Sequence, residues 1–239
     1  MEVHAHTHTA RKKWTHYFWE FLMLFLAVFC GFLAEYQLEH KIEKERGRQY
    51  VISFYEDLVT DTTRFNNIIT AYRTQVTALA AKEDCYRTIL QNKKSDTCII
   101  NLIFNTIGFE DLVFTDRTLQ QLKNSGGLRL LKKEDADSIL LYDDLLRSYL
   151  QQETTGFQET QYKVRDLTTS MLNHQFFSGG EQDPKTSVLY SFDLEQINKY
   201  FNMMVGYDFY CTDHLEKMGT IKRKAISLLK YFKEKYQLK

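Results

Sequence analysis

The sequence predicts an all-α protein in which one N-terminal transmembrane helix continues into a long heptad-patterned helix that packs in an antiparallel helical bundle. The 239 residues include a single proline, Pro184, and only ten glycines, so few residues disfavour helix interiors. Apolar residues recur at spacings of three and four over long stretches. Alternation of apolar and polar residues, which is typical of strands, is never sustained.

Composition limits the classes of function. Hydrophobic residues make up 44% of the chain, which is enough for the core of one ordinary domain. The 31 basic residues are balanced by 31 acidic ones, so nucleic acid is not expected as a partner. The four cysteines form no CxxC pair and define neither a zinc site nor a disulfide framework.

Residues 1–16 form the first predicted segment, a flexible tail that contains histidines and a basic cluster. His4, His6 and His8 alternate, so an extended backbone would place three imidazoles on one side, where they could share a Zn, Ni or Cu ion. The alternative is a weakly chelating terminus, because the tail offers these ligands no rigid surroundings.

Residues 17–38 form the predicted transmembrane helix. The uncharged run 21–34 is about 21 Å long as a helix, which is too short for a hydrocarbon core of about 30 Å. Extending the helix to Tyr17 and Leu38 gives about 33 Å. Aromatic residues near both ends are of the kind found at membrane interfaces, so the extended segment is long enough to cross a bilayer.

Two other interpretations of this segment fit less well. A signal peptide needs a small residue two positions before Ala34, where Phe32 stands, and Phe29 does not suit the position before a lipidated Cys30. A buried core helix seldom has apolar residues on every face and aromatic residues at both ends. A retained membrane anchor is therefore favoured.

The predicted location is the bacterial inner membrane, with a single pass. Basic residues occur on both sides of the apolar segment, so their number does not fix the orientation. A short basic tail before a first hydrophobic helix usually stays in the cytoplasm, which favours a periplasmic bulk. Within the helix, Ala27 and Gly31 are spaced for close self-association, although a lipid-facing glycine without a partner fits equally well.

Residues 39–239 form the predicted helical domain, which begins with one long helix over about 39–91. Its apolar residues follow a heptad pattern that suits a bundle better than a two-stranded coiled coil, because several of them are aromatic. Gly47 is the expected position of a bend. The members of the predicted seam are Val51, Tyr55, Leu58, Thr62, Phe65, Ile69, Tyr72, Val76, Leu79, Glu83, Tyr86 and Leu90.

Several shorter elements should follow. One helix begins near Cys98 after the polar turn 92–97, and another, capped by Thr115 or Asp116, ends at the glycines 126–127.

Three longer stretches complete the predicted domain. One element covers about 133–177, and 178–187 is the clearest loop. Helices are expected over 193–206 and from 212 onward. The last one carries basic residues around an apolar stripe, which suits an anionic lipid surface or packing within the protein.

The cysteines raise two hypotheses, a disulfide and a metal or thiol site. Cys85 and Cys98 flank the polar turn and could form a disulfide worth roughly 3 kcal/mol in an oxidising compartment, or stay reduced in the cytoplasm. Cys211, Asp213 and His214 lie close in the sequence CTDH, but neighbouring helix positions point in different directions and no second motif completes a metal site. A cap followed by core residues is the favoured interpretation.

Four segments carry a resemblance to a known family. They are FLMLFLAVFCGFLAEY, RQYVISFYEDLVTDT, TLQQLKNSGGLRLL and ILLYDDLLRSY. Together with the His-containing tail, they resemble an uncharacterised family of bacterial single-pass membrane proteins, mainly over residues 4–65 and 118–149. The resemblance implies an anchored helical domain and supplies neither an activity nor a functional residue.

The sequence contains no phosphate-binding loop, nucleophile elbow or EF-hand, so neither an enzyme nor a cofactor is expected. The favoured function is a membrane-anchored scaffold or protein-interaction module, which contacts the bilayer and either self-associates or binds other envelope proteins. The alternative is a ligand-sensing domain that signals through a partner, with a pocket lined by Tyr72, Tyr142 or Phe201.

Overall fold

The computed structural model describes residues 14–92, 96–107, 113–177 and 187–238. These ranges are almost entirely helical and contain no sheet strand, only one isolated bridge between Leu172 and Leu189. The all-α prediction is confirmed. The α-helices are α1 (Trp14–Leu79), α2 (Lys82–Asn92), α3 (Asp96–Ile107), α4 (Arg117–Asn124), α5 (Lys133–Gln152), α6 (Gln158–Met171), α7 (His174–Phe177) and α8 (Leu194–Tyr236).

The buried stripe of α1 follows a heptad pattern, but only half of the predicted one. Five residues of the predicted seam that recur every seven positions are buried, and so is Ile69. The other alternate positions of α1 are buried one residue earlier than predicted, and Ile68 is buried beside Ile69. Asp61 and Gln75 occupy two of these positions, and their polarity hid the true stripe from a search for apolar residues. The observed stripe is Val51, Phe54, Leu58, Asp61, Phe65, Ile68, Tyr72, Gln75 and Leu79.

The predicted long helix over 39–91 is divided. Helix α1 ends at Leu79, and α2 begins at Lys82 after a turn in which the Ala81 amide bonds the Ala78 carbonyl at 3.2 Å. A continuous heptad would have placed Glu83 in the core, where an unpaired carboxylate is costly. The break leaves Glu83 exposed and buries Cys85 and Ile89 of α2 instead.

Helices α1 and α8 run in opposite directions along each other. Phe54 packs edge-on against Phe232, and the ring of Tyr72 stacks near His214. Farther along α1, Lys82 at the start of α2 reaches Asp208, with Nζ and Oδ2 2.7 Å apart. The C-terminal end of α8 therefore lies near residue 54, on the side of the domain from which the apolar segment leaves.

Helix α8 is one helix where two were expected. The Asp193 side chain accepts hydrogen bonds from the amides of Glu195 and Gln196, as expected of a cap. The helix then continues through Gly206 and Thr212 to Tyr236 without a break. Thr212 and Asp213 therefore do not cap a helix. Contacts between α8 and α1 stabilise α8 across these residues, which favour helices only weakly.

The predicted element over 133–177 contains a change of helix type. Helices α5 and α6 are joined by a π-helical segment, Glu153–Phe157. Gly156 lies close to α8, because a Cβ there would stand 3.3 Å from Cε1 of Tyr210. The hydroxyls of Thr154 and Thr155 bond carbonyls four residues back. The π-helical segment thus brings Phe157, which is fully buried, into the core.

Candidate functional site

The apolar part of α1 is exposed to the surroundings of the domain. Every described residue from 14 to 46 is exposed except one that is half-buried. Within the described chain, α1 provides the one helix that is long and apolar enough to cross a membrane, and none of its apolar window is buried. An apolar helical segment that is not covered by the described part of its own chain needs another apolar environment.

The exposed segment has two different faces. At 100° per residue, Phe18, Phe21, Phe25, Phe29 and Phe32 fall on one side of the helix, and ring centroids of neighbouring phenylalanines are 5.8 to 6.3 Å apart. The small residues of the segment lie on the opposite side. A Cβ built at Gly31 meets nothing within 4 Å. One face is thus aromatic and the other permits close approach of a second helix.

Gly47 is a point of close contact between α1 and another part of the domain. Helix α1 continues through it, and a Cβ there would lie 2.5 Å from the carbonyl oxygen of Leu130. Leu130 ends a 3₁₀ turn, Gly127–Leu130, that precedes α5. Glycine is required because the backbone of this turn approaches α1 where a side chain would stand, and the bend at Gly47 stays a prediction.

Two buried carboxylates of α1 hold the start of α4. Asp57 Oδ2 accepts a hydrogen bond from the Thr118 amide at 3.3 Å, and Asp61 Oδ1 accepts one from the Thr115 amide at 2.9 Å. The side chain of Asp116, the residue before α4, makes no capping bond. Helix α4 is thus capped from a different helix. Burial raises the pKa of Asp61, although the hydrogen bonds from Thr115 oppose this shift.

A third buried carboxylate joins α5 to the end of α8. Asp135 is fully buried and accepts hydrogen bonds from Tyr231 at 2.7 Å, from Lys235 at 2.6 Å and from Tyr236 at 2.6 Å. Burial alone would raise the pKa of Asp135, but the bonds from Lys235, Tyr236 and Tyr231 hold it below its ordinary value. This network fixes the C-terminal end of α8 beside the first turn of α5.

A layer of buried polar and aromatic side chains surrounds the π-helical segment. His214 of α8 pairs through Nδ1 with the Tyr149 hydroxyl at 3.0 Å, and its ring lies 4.5 Å from that of Phe157. Cys211 is fully buried one turn earlier, and burial raises the pKa of its thiol to about 12. The hydroxyl of Tyr72 is buried here without a hydrogen-bond partner among the described residues.

The pKa of His214 predicts a pH-dependent stability. Burial lowers this pKa to about 4, with Asp213 opposing the shift and Lys217 adding to it. Because the unfolded chain binds a proton from about pH 6.5 downward, the free energy of unfolding should fall by about 2 kcal/mol between pH 7.5 and pH 5. Urea unfolding in detergent at both pH values measures this loss.

The matched variant for this prediction is His214→Gln, which keeps a polar side chain that does not titrate. Its free energy of unfolding is lower at every pH, but the additional loss between pH 7.5 and pH 5 should be smaller than that of the wild type. Equal losses in the two proteins would show that His214 does not control stability in this range.

The structure joins Cys85 of α2 and Cys98 of α3 as a disulfide, with the two Cα atoms 5.5 Å apart. Cys85 is buried and Cys98 is half-buried. The bond closes a short loop between two helices, which is an arrangement that stabilises mainly by restricting the unfolded chain. Its persistence in the cell depends on the compartment and stays a prediction.

The remaining sequence hypotheses have different outcomes. His4, His6 and His8 lie outside the described residues. Of the CTDH residues, Cys211 and His214 face the core, whereas half-buried Asp213 pairs with Lys217 on the surface at 2.5 Å. No group of three or more histidine, cysteine or acidic side chains in the described ranges could hold a metal ion.

The three aromatic residues that were alternative candidates for lining a pocket lie in separate places. Tyr72 contacts Phe157, Tyr142 contacts Phe54, and Phe201 contacts Tyr86, and all three are buried in the core. Two open surface grooves flank α8. One, of about 640 Å³, lies between α6 and α8, and another, of about 310 Å³, lies between α5 and α8 beside Tyr149.

Comparison with known proteins does not assign the chain to a family. No family model matches it, and no curated protein or solved structure matches it either. The chain's own residues and contacts are therefore what supports a function.

Proposed function

We propose that the chain is a single-pass protein of a bacterial inner membrane and that it holds a helical scaffold or protein-interaction module beside the bilayer, without catalytic activity. One observation carries this proposal. Helix α1 runs unbroken from the exposed apolar segment into the buried heptad stripe. The residues that would lie in lipid and the residues that organise the domain thus belong to one rigid element.

A continuous helix gives the domain a defined position. Helices without proline or bulges bend only gently, so the domain is held at a fixed distance from the bilayer rather than on a flexible linker. We interpret the opposed α1 and α8, with α5 and α6 against them, as an antiparallel bundle built on this helix. Membership of the single-pass family that the four sequence segments resemble is part of the same proposal.

Exposed aromatic side chains on the domain are available to other envelope proteins. Phe209 of α8 is 70% exposed, and Tyr190, which precedes α8, is 79% exposed. Large aromatic side chains provide much of the energy of protein interfaces. Their exposure favours an interaction module over an isolated domain.

We place the domain in the periplasm. Alkaline phosphatase fused after Lys239 should be active, and a fluorescent reporter that folds only in the cytoplasm should stay dark at the same position. The thiols of Cys85 and Cys98 should then resist alkylation in cells until a reductant is added. A bright reporter with an inactive phosphatase would reverse this orientation.

The small face of the apolar segment is proposed to bind a second copy through Ala27 and Gly31. Gly31→Ile should weaken dimerisation in lipid vesicles about tenfold, which corresponds to about 1.4 kcal/mol, as measured by energy transfer between labelled chains. The monomer is undisturbed because the added side chain enters open space.

The matched control for this prediction is Gly206→Ile. Gly206 is also exposed in a helix with nothing within 4 Å of its Cβ position, but it lies in α8. If energy transfer were equal in the wild type and in both variants, Gly31 would not be part of a dimer interface.

A ligand-sensing function is the second candidate, and the groove beside Tyr149 favours it. Lys217 spans this groove and donates hydrogen bonds to Gln152 of α5 and to Asp213, next to the buried pair of Tyr149 and His214. A metabolite that stabilises the wild type saturably, but not Lys217→Ala, would support sensing. A mass above that of the monomer without such a metabolite would favour assembly.

A further inference from the structure

One end of the domain lies nearest to the apolar segment, and three parts of the chain meet there. Gly47 of α1 contacts Leu130, and the Tyr50 hydroxyl lies 3.3 Å from that of Ser125. Asp135 binds the end of α8. We call this end the proximal face and define it as residues 46–50, 125–135 and 233–238.

The proximal face is basic although the whole chain is neutral. Its three segments contain seven basic and three acidic residues, whereas the chain as a whole has 31 of each. The opposite end of the domain, residues 79–92 and 193–208, has three basic and five acidic residues. Positive charge therefore exceeds negative charge on the proximal face, whereas residues 39–45, between this face and the apolar segment, hold two basic and three acidic residues.

The basic side chains of the proximal face are accessible. Arg129, Lys132 and Lys133 are exposed on the turn before α5 and at its first residue, and Lys233 is exposed near the end of α8. Arg48 of α1 is exposed beside them. Of the three acidic residues, Asp135 is fully buried and already occupied by Lys235 and two tyrosines, so it neutralises little of this surface.

The distance to a bilayer is short. Nine residues of helix separate Leu38 from Gly47, a length of about 14 Å. The headgroup layer beyond the hydrocarbon core is roughly 5 to 8 Å thick, which leaves about 6 to 9 Å between the headgroups and the level of Gly47. This gap is comparable to the Debye length of about 8 Å at physiological ionic strength, and helix tilt shortens it further.

We propose that the proximal face binds the anionic phospholipid headgroups of the leaflet from which α1 emerges. This proposal rests on the proposed function, because it requires α1 to span the membrane. The phosphate groups supply the negative charge that Arg129, Lys132, Lys133 and Lys233 face, and an anionic surface attracts basic side chains that lie near it. The anchor sets the height of the domain, and the proximal face sets its tilt.

Lysine labelling of the full chain in nanodiscs tests this proposal. Discs of phosphatidylcholine alone are compared with discs that contain about one third phosphatidylglycerol, and a water-soluble acylating reagent is read out by mass spectrometry. Labelling of Lys132, Lys133 and Lys233 should fall about threefold or more in the anionic discs. Lys199 is the internal control, because it is exposed about 50 Å along α8 from Lys233.

Salt and charge reversal identify the cause of the protection. At about 1 M salt the Debye length shrinks to about 3 Å, so the difference between the two lipids should disappear. Arg129→Glu with Lys132→Glu should restore labelling of Lys133 and Lys233 in anionic discs. Arg87→Glu with Lys199→Glu changes the same residue types at the opposite end and should leave the protection intact.

The outcomes separate this proposal from the proposed function. A chain that does not float with the discs overturns the membrane anchor itself. A chain that floats but is labelled equally in both lipids overturns headgroup binding while the anchor stands. Protection of Lys199 equal to that of Lys133 would also overturn it, because the effect would not belong to the proximal face.

Discussion

Val28→Lys combined with Phe32→Lys should release the protein from membranes. Both side chains are more than 60% exposed on the apolar segment, and Val28 lies at the middle of residues 17–38. Two lysines in place of a valine and a phenylalanine raise the free energy of insertion by roughly 6 kcal/mol. The measurement is the fraction of protein that remains in the membrane pellet after extraction at alkaline pH.

The matched control is Val205→Lys with Phe209→Lys. This pair has the same residue types at the same spacing on α8, with exposed fractions of 52% and 70%. Because α8 belongs to the helical domain, the control should stay in the pellet like the wild type. If the variant with Val28→Lys and Phe32→Lys stayed in the alkaline pellet, the result would contradict a membrane anchor in this segment, whatever the stability of the variant.

Asp135→Ala should destabilise the domain by about 3 to 5 kcal/mol, because it removes the acceptor of a buried ion pair. Lys235, Tyr231 and Tyr236 would lose a shared partner that is fully buried. Lys235 keeps Glu134, with Nζ and Oε2 3.6 Å apart, and the Tyr231 hydroxyl, to which Nζ donates at 2.6 Å. Urea unfolding in detergent at neutral pH measures the loss, and the end of α8 should be the first part to lose amide protection.

The control for this variant is Asp137→Ala. Asp137 is exposed two residues later, just after the first turn of α5, where an acidic side chain contributes at most about 1 kcal/mol through the helix dipole. Since the pKa of Asp135 lies below its ordinary value of 3.8, its contribution is present above that pH and is lost as the pH falls further. The difference between wild type and Asp135→Ala should therefore narrow in acid. A loss no larger than that of Asp137→Ala would contradict a structural role for the network.

Part of the core could be predicted from periodicity. Val51, Leu58, Phe65, Tyr72 and Leu79 recur every seven residues and all are buried. In the other half of the predicted seam within α1, Ile69 is buried as predicted, and the remaining buried positions lie one residue earlier than predicted. Asp61 is buried because the Thr115 amide, fifty-four residues away in the chain, bonds its carboxylate, and no local pattern reveals such a partner.

The candidate sites also divide into those that the local sequence indicates and those that depend on residues distant in the chain. The apolar segment was recognised from composition, because insertion into lipid depends on the residues of the segment itself. Gly47 was recognised as special but interpreted as a bend, since its contact with Leu130 comes from a turn eighty residues later. The buried pair of His214 and Tyr149 was missed, although CTDH drew attention to the histidine, because Tyr149 lies on another helix.

The sequence by itself determined that this protein is helical, that it carries one segment suited to a membrane, and that Asp193 caps a helix. Each of these properties depends on residues within a few turns of one another. Only the tertiary structure decided that α1 stops at Leu79, that α8 does not stop at Gly206, and that basic residues gather at one end. These features arise because segments distant in the chain bury polar groups against each other, and burial can override local helix preference.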